Sequence, residues 1–316
     1  MTTKRHRAFP FCLLPFRIEE KPAICIEMTP FIKMHGLGND FIIFDARELA
    51  NRIPDVINKN AATALANRHF GIGCDQILVI RPSQRADIFM QILNSDGSEA
   101  AACGNGTRCV ADHIMRTLGQ DRLTIETNAG ILQSWRAGEK TENIAVDMGS
   151  VYVDWESVPL ANKVNTLSVN LGPLAPVPAV CHSLGNPHAV LFVDDVEVID
   201  LANIGPQLEH HPLFPDRANI SFVHQIEPNK FRMRVWERGG GITFACGSGA
   251  CAVGVAVHRS GRGSRNTEIV MDGGSVFIEW QDDGTVGGRV IMRGPVVYVF
   301  DGILCERLDR LLRAGI

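Results

Sequence analysis

A cysteine opens the same short phrase twice in this chain, Cys103-Gly104-Asn105-Gly106 and Cys246-Gly247-Ser248-Gly249, and each phrase runs into an alanine- and valine-rich stretch. The cysteines lie 143 positions apart (246 less 103), and other landmarks keep nearly the same offset. Asn94, which closes the apolar run 88–93, falls on Glu237, which closes 231–236. Gln76 falls on Asn219, each just ahead of a β-branched run, and Gly38-Asn39 echoes Gly185-Asn186 after a slip that an ordinary loop insertion explains. One long period repeated once describes two like domains, because a solenoid needs three or more short repeats to bury its faces. The fold must therefore be one that can be built twice.

Composition narrows the class. A chain of 316 residues exceeds the roughly 100 to 200 of one domain, in agreement with the duplication. Hydrophobic content of 45% is that of a globular protein, and no run of apolar residues is long enough for a membrane span. A net charge of −4 without a basic stripe argues against nucleic acid as partner. Nine cysteines form no CxxC pair or zinc-type cluster, so the reading is of free thiols in the cytoplasm and no metal. Residues 1–30 read as a disordered extension: Lys4 to Arg7 and the apolar residues after them mimic a signal peptide faintly, but Pro10 and Pro15 interrupt the run.

Period-two and apolar runs predict strands over 31–34, 41–44, 77–80, 88–93, 123–127, 131–135 and 144–148, with helices over 61–69 and 106–118. After a connection holding Pro173, Pro176 and Pro178, the set recurs: strands over 189–193, 220–223, 231–236, 267–271, 276–280 and 288–292, and a helix from Gly249 to about His258. Each half is mostly strands around one apolar helix, which needs a sheet wrapped closely about it.

Cys103 and Cys246 each precede a helix start. Unpaired N–H groups and about half a positive charge there stabilise a thiolate and lower a thiol from its usual pKa near 8.5. The glycines that follow leave room for a carboxylate to approach those N–H groups. With the two halves face to face, one thiolate removes an α-proton while the opposing thiol supplies another to the far face. Glu237-Arg238 could be a surface pair at a strand end, but its repeat position beside the second cysteine favours a substrate role. Cys109 and Cys251 fall inside the helices and read as packed thiols. His188 alone reads equally well as a packed or a functional histidine.

The segments 34–41 (MHGLGNDF), 94–109 (NSDGSEAAACGNGTRC), 185–192 (GNPHAVLF) and 237–252 (ERGGGITFACGSGACA) resemble the diaminopimelate epimerase family, and the likeness runs from Phe31 to Ile303. The resemblance implies an α/β (α+β) fold of two pseudosymmetric domains, each a β-barrel-like sheet around a central helix. Residues 31–147 with 292–316 would form one domain and 148–291 the other. It implies interconversion of LL- and meso-2,6-diaminopimelate in lysine and peptidoglycan synthesis, with no cofactor, by a homodimer. Cys103 and Cys246 match the family's acid/base pair. Asn39, Gln76, Asn94, Asn186, Asn219, Glu237 and Arg238 match its substrate-binding side chains, and Gly104, Asn105, Gly247 and Ser248 the segments that hold the reacting carboxylate. His188 and Glu237 match residues that tune the thiols. Gly240-Gly241-Ile242-Thr243 departs slightly from the usual GAG[EL]T.

Other readings remain open on the residues alone. A proline racemase or hydroxyproline epimerase would use two cysteines but leave Arg238 with less purpose. A Cys103–His188 nucleophile pair would leave the second cysteine phrase unexplained, and in a thiol redox protein facing cysteines could close a disulfide.

Overall fold

The computed structural model describes residues 28–47, 49, 52–138, 143–284 and 287–314. The extension expected over 1–30 thus lies, as far as residue 27, outside the described residues. The first half runs β1 (Pro30–Gly36), β2 (Asn39–Asp45), α1 (Lys59–Ala66), β3 (Gln76–Arg81), β4 (Ile88–Asn94), α2 (Gly104–Leu118), β5 (Arg122–Thr127), β6 (Gly130–Arg136) and β7 (Asn143–Ser150). The second runs β8 (Val180–Ser183), β9 (Pro187–Phe192), α3 (Leu201–Glu209), β10 (Asn219–Glu227), β11 (Lys230–Glu237), β12 (Gly241–Ile242), α4 (Gly247–Arg259), β13 (Asn266–Met271), β14 (Gly274–Gln281) and β15 (Arg289–Pro295). β16 (Val297–Ile303) and α5 (Glu306–Arg313) close the chain.

The duplication is written in the strand pairing. β1 to β7 lie side by side in chain order, and β8, β9, β10, β11, β13, β14 and β15 do the same in the other half. Pairings alternate identically: β1·β2 and β8·β9 are antiparallel, β2·β3 and β9·β10 parallel, β3·β4 and β10·β11 antiparallel, β4·β5 and β11·β13 parallel. Each parallel step needs a crossover, which α1, α2, α3 and α4 supply in matching places. The halves meet where β7 pairs antiparallel with β15, so a single sheet passes through both. β16 then crosses back to pair with β1. A division at 291/292 consequently falls inside β15 rather than between elements.

Each half-sheet curls about its own helix. α2 packs on β1 and β2 as well as on β5, β6 and β7, and α4 on β8 to β10 as well as on β13 to β15. α4 buries Ala250 to Val257 without interruption, which an all-round apolar helix requires. α2 buries Cys109, Val110, Ala111, Ile114 and Met115 against Met34, Phe41, Leu78 and Ile125. Outside, α1 and α5 cover one face of the first half and α3 one face of the second.

Where structure and sequence expectation differ, the causes are local. α2 and α4 begin two residues earlier than expected because the cysteines cap them. α1 stops at Ala66 rather than 69, because the Asn67 side chain accepts from the His69 and Phe70 N–H groups and turns the chain. α3 was masked by Gly205 and Pro206; Gly205 lies against Trp236, where a Cβ would come within 2.7 Å of the indole.

Gly254, in α4, is the repeat counterpart of Ala111 in α2. A Cβ at Gly254 would meet Ile278 Cγ2 at 2.6 Å. Alanine gains about 1 kcal/mol of helix propensity over glycine, but overpacking a core costs about 1–3 kcal/mol. Gly254→Ala is expected to destabilise the protein net, seen as a lower urea midpoint at unchanged m-value.

Candidate active site

The β7·β15 seam brings the starts of α2 and α4 together. Met292 of β15 lies against both: a Cβ at Gly104 would sit 2.8 Å from its Cε, and one at Gly247 3.3 Å away. The glycines read as room for a ligand thus answer a packing need first, and Gly249 likewise, where a Cβ would come within 2.7 Å of Met233 Cε.

Each cysteine is the N-cap of its helix. Cys103 is extended, and its Sγ accepts from Gly106 N–H at 3.3 Å; Cys246 accepts from Gly249 N–H at 3.4 Å. Sulfur here replaces the usual capping oxygen. Cys103 is half-buried and Cys246 buried. Burial pushes the Cys103 thiol up to about 11, against the lowering effects of the Gly106 N–H and of Arg108. Burial raises Cys246 well above the ordinary range, and the Glu237 carboxylate raises it further. The expected lowering of both thiols by their helices is therefore outweighed: the caps act in that direction, but loss of solvent wins.

Around each sulfur the repeat has placed matching amides. Asn39 Oδ1 lies 3.8 Å from Cys103 Sγ and accepts from Asn105 Nδ2 at 3.3 Å. Ser248 Oγ lies 3.7 Å from Cys246 Sγ and accepts from Asn186 Nδ2 at 3.5 Å. Asn105 also donates to the Ala245 carbonyl at 3.3 Å, so one side chain ties the two helix starts across the seam. Asn39 follows a two-residue hairpin turn in which Leu37 and Gly38 both have positive φ, and Leu37 is buried in the core of the other half.

Gln76 donates to Asn94 Oδ1 at 2.9 Å across β3·β4. At the matching place, Asn219 donates to the Pro187 carbonyl and accepts from Arg238 N–H at 3.0 Å. Glu237 acts electrostatically on both sulfurs; burial raises its carboxyl, and Thr243 Oγ1 donates to Oε1. Arg238 is exposed, with one guanidinium nitrogen on the Asp216 carbonyl. His188 is buried, held neutral by burial at about 3, and its Nε2 meets Asn186 Oδ1 at 2.9 Å. Its link to Cys246 runs through Asn186 and Ser248; it forms no pair with Cys103.

The sequence did not point to Asp75, Asp40 and Arg68. Asp75 Oδ2 accepts from Asn39 Nδ2 at 2.9 Å, and Arg68 clamps Asp75 and Asp40 at 2.7 Å each. This network leaves Asn39 Oδ1 turned to the sulfur. Its only sequence signal was the position of Asp75 directly before Gln76.

The family model described as diaminopimelate epimerase matches residues 31–153 and 180–299. A diaminopimelate epimerase of Acidiphilium cryptum is 51% identical over 277 residues, 87% of this chain and 96% of its own length. One from Desulfitobacterium hafniense is 44% identical, covering 87% of this chain and 98% of its own. Among solved structures, a hydroxyproline epimerase of Agrobacterium vitis superposes with a TM-score of 0.62 at 14% identity, over 88% of this chain and 91% of its own. A PhzF-family phenazine biosynthesis protein of Bacillus anthracis does so with 0.62 at 17%, over 89% and 100%. These two share the fold.

Because the Glu237 carboxylate raises Cys246, Glu237→Gln should bring that thiol down toward its ordinary value. The check is a pH titration of the 13Cβ resonance of Cys246 in labelled protein; an unchanged or higher midpoint would contradict the assignment.

Proposed function

The chain belongs to the diaminopimelate epimerase family, and we propose on that basis that it interconverts LL- and meso-2,6-diaminopimelate by a two-thiol mechanism. The observation that carries the mechanism is the pair of cysteines, each capping a helix, whose starts share Met292 and are tied by Asn105. The cleft lies between a domain of residues 31–147 with 292–316 and one of 148–291.

The reacting α-carboxylate takes the first-turn N–H groups of Gly104, Asn105, Gly247 and Ser248, toward which both helix dipoles are positive. One sulfur, as thiolate, takes the α-proton: the Cα–H bond breaks, an S–H bond forms, and the electron pair delocalises into the carboxylate. The dipoles stabilise that enolate-like charge. The opposite thiol then gives its proton to the far face. Productive catalysis needs one sulfur ionised and the other protonated, so Glu237 beside Cys246 helps keep the pair unequal. At the distal end Arg238 offers a bidentate partner for the second carboxylate, while Asn39, Gln76, Asn94, Asn186, Asn219 and Glu237 supply acceptors and donors for the rest. His188 holds Asn186 in place. Neutral thiols at rest give a reaction whose rate rises with pH below about 11.

Seven described cysteines are free thiols, in keeping with a reducing cytoplasm. No described helix is long and apolar enough to cross a membrane. A homodimer is supported by β16, a sheet-edge strand that exposes Val297, Tyr298, Val299, Phe300 and Ile303. An apolar edge that no described strand pairs invites a second copy.

Incubation with LL-diaminopimelate in deuterated water should place solvent deuterium at the α-carbon and yield the meso isomer. Absence of both in reducing buffer would refute the activity. Cys103→Ser and Cys246→Ser should each cost at least about 10²-fold in rate while ligand binding persists, the scale of losing a general acid or base. For the assembly, Val299→Lys should convert a dimer to folded monomer in sedimentation velocity; a parent that is already monomeric would rule the dimer out.

A further inference from the structure

Among the described residues the largest fully buried side chain is a charged one, Arg108, in the second turn of α2. Among the described residues it has no carboxylate partner. Its Nη2 donates to Asn105 Oδ1 at 2.9 Å, its Nη1 lies 3.3 Å from Met292 Sδ, and its buried Nε has no partner. The guanidinium is hemmed in by backbone: a Cβ at Gly36 would stand 3.2 Å from Nη2, and one at Gly294 3.3 Å from Nε. The ionisable groups that act on it are Cys103, Cys109 and Cys251. Arginine keeps its proton even when buried, and leaving a buried cation unpaired costs several kcal/mol. A charge kept at that cost has an opposite charge that arrives when the site works.

The repeat shows which charge. The 143-residue offset carries Arg108 onto Cys251, a neutral residue (251 less 108), just as it carries neutral Asn94 onto Glu237. The first half therefore holds a fixed cation behind its sulfur, and the second a carboxylate beside its own. We propose that Arg108 is the positioning residue that makes Cys103, rather than Cys246, the sulfur that ionises first. It acts through the field of its guanidinium and through Asn105, whose carbonyl oxygen it holds so that the Asn105 amide faces Asn39 and Ala245. The charged groups that act on the Cys103 sulfur are then Glu237, against the thiolate and the stronger of the two, and Arg108, which offsets it.

The proposal rests on the two-thiol reading, and its test is independent of turnover. Iodoacetamide alkylation at pH 8 is followed at Cys103 and Cys246 separately by peptide mass spectrometry, in parent, Arg108→Met and Arg108→Lys. Well below the thiol's midpoint the rate follows the thiolate fraction, so a shift of one pH unit is read as about tenfold. Arg108→Met should slow Cys103 by about tenfold or more and narrow its lead over Cys246. Arg108→Lys, which keeps the charge, should stay within about threefold of parent. Should Arg108→Met fail to fold by circular dichroism, Arg108→Gln takes its place with the same criteria. An unchanged Cys103 rate in the neutral variant overturns the proposal, as does an Arg108→Lys protein as slow as the neutral one. Deuterium wash-in by the parent separates these outcomes from failure of the epimerase reading, which would show as no exchange at all.

Discussion

Everything in this molecule hangs on the antiparallel ladder between β7 and β15. It joins two half-sheets that repeat each other pairing for pairing, and it makes one strand, β15, common ground for the two central helices. Met292 on that strand touches both helix starts, and Arg289 on it binds Asp147 of β7 at 2.7 Å. Without the ladder the cysteines would be two unrelated N-caps on two barrels. With it, the positive ends of two helices and two sulfurs occupy one small volume.

That concentration sets a conflict between two physical effects. Helix ends favour anions, yet packing them together expels water, and expelling water favours neutral forms. Here burial dominates and raises both thiols. The asymmetric residues resolve the conflict locally. Glu237 works against ionisation of Cys246, while the Asn39, Asn105 and Asn186 amides and the Ser248 hydroxyl form the hydrogen-bonded setting of the two sulfurs.

Much of this was legible in the sequence. The doubled Cys-Gly-x-Gly phrase and its constant offset foretold two like halves with a helix behind each cysteine, because an all-apolar helix such as α4 and its flanking β-branched runs leave a clear period. Asn39, Asn94, Asn186 and Asn219 stood out as landmarks of the repeat, but their roles were legible only through family likeness, since an amide's role depends on what its partner holds in place. Asp75 and Arg68 steer Asn39 from a loop whose sequence carries no periodic signal. α3 and α5 escaped notice because Gly205, Pro206 and a charged, half-exposed surface hide short helices. The thiols misled in one respect: a cap's electrostatic benefit can be read from sequence, but the depth of burial that opposes it belongs to the packed molecule.

The antiparallel seam has a pseudo-twofold character, and that is the geometry two identical chains adopt when they associate through the same surface. A half-length ancestor that paired in this way would have presented two equivalent sulfurs and could not have told one face of a carbon from the other. Joining the copies in one chain frees each position to diverge alone. Asn opposite Glu, and Arg opposite Cys, are differences that a symmetric pair of identical chains could not carry on one side only, so holding both copies in one chain is what permits this site two unlike ends.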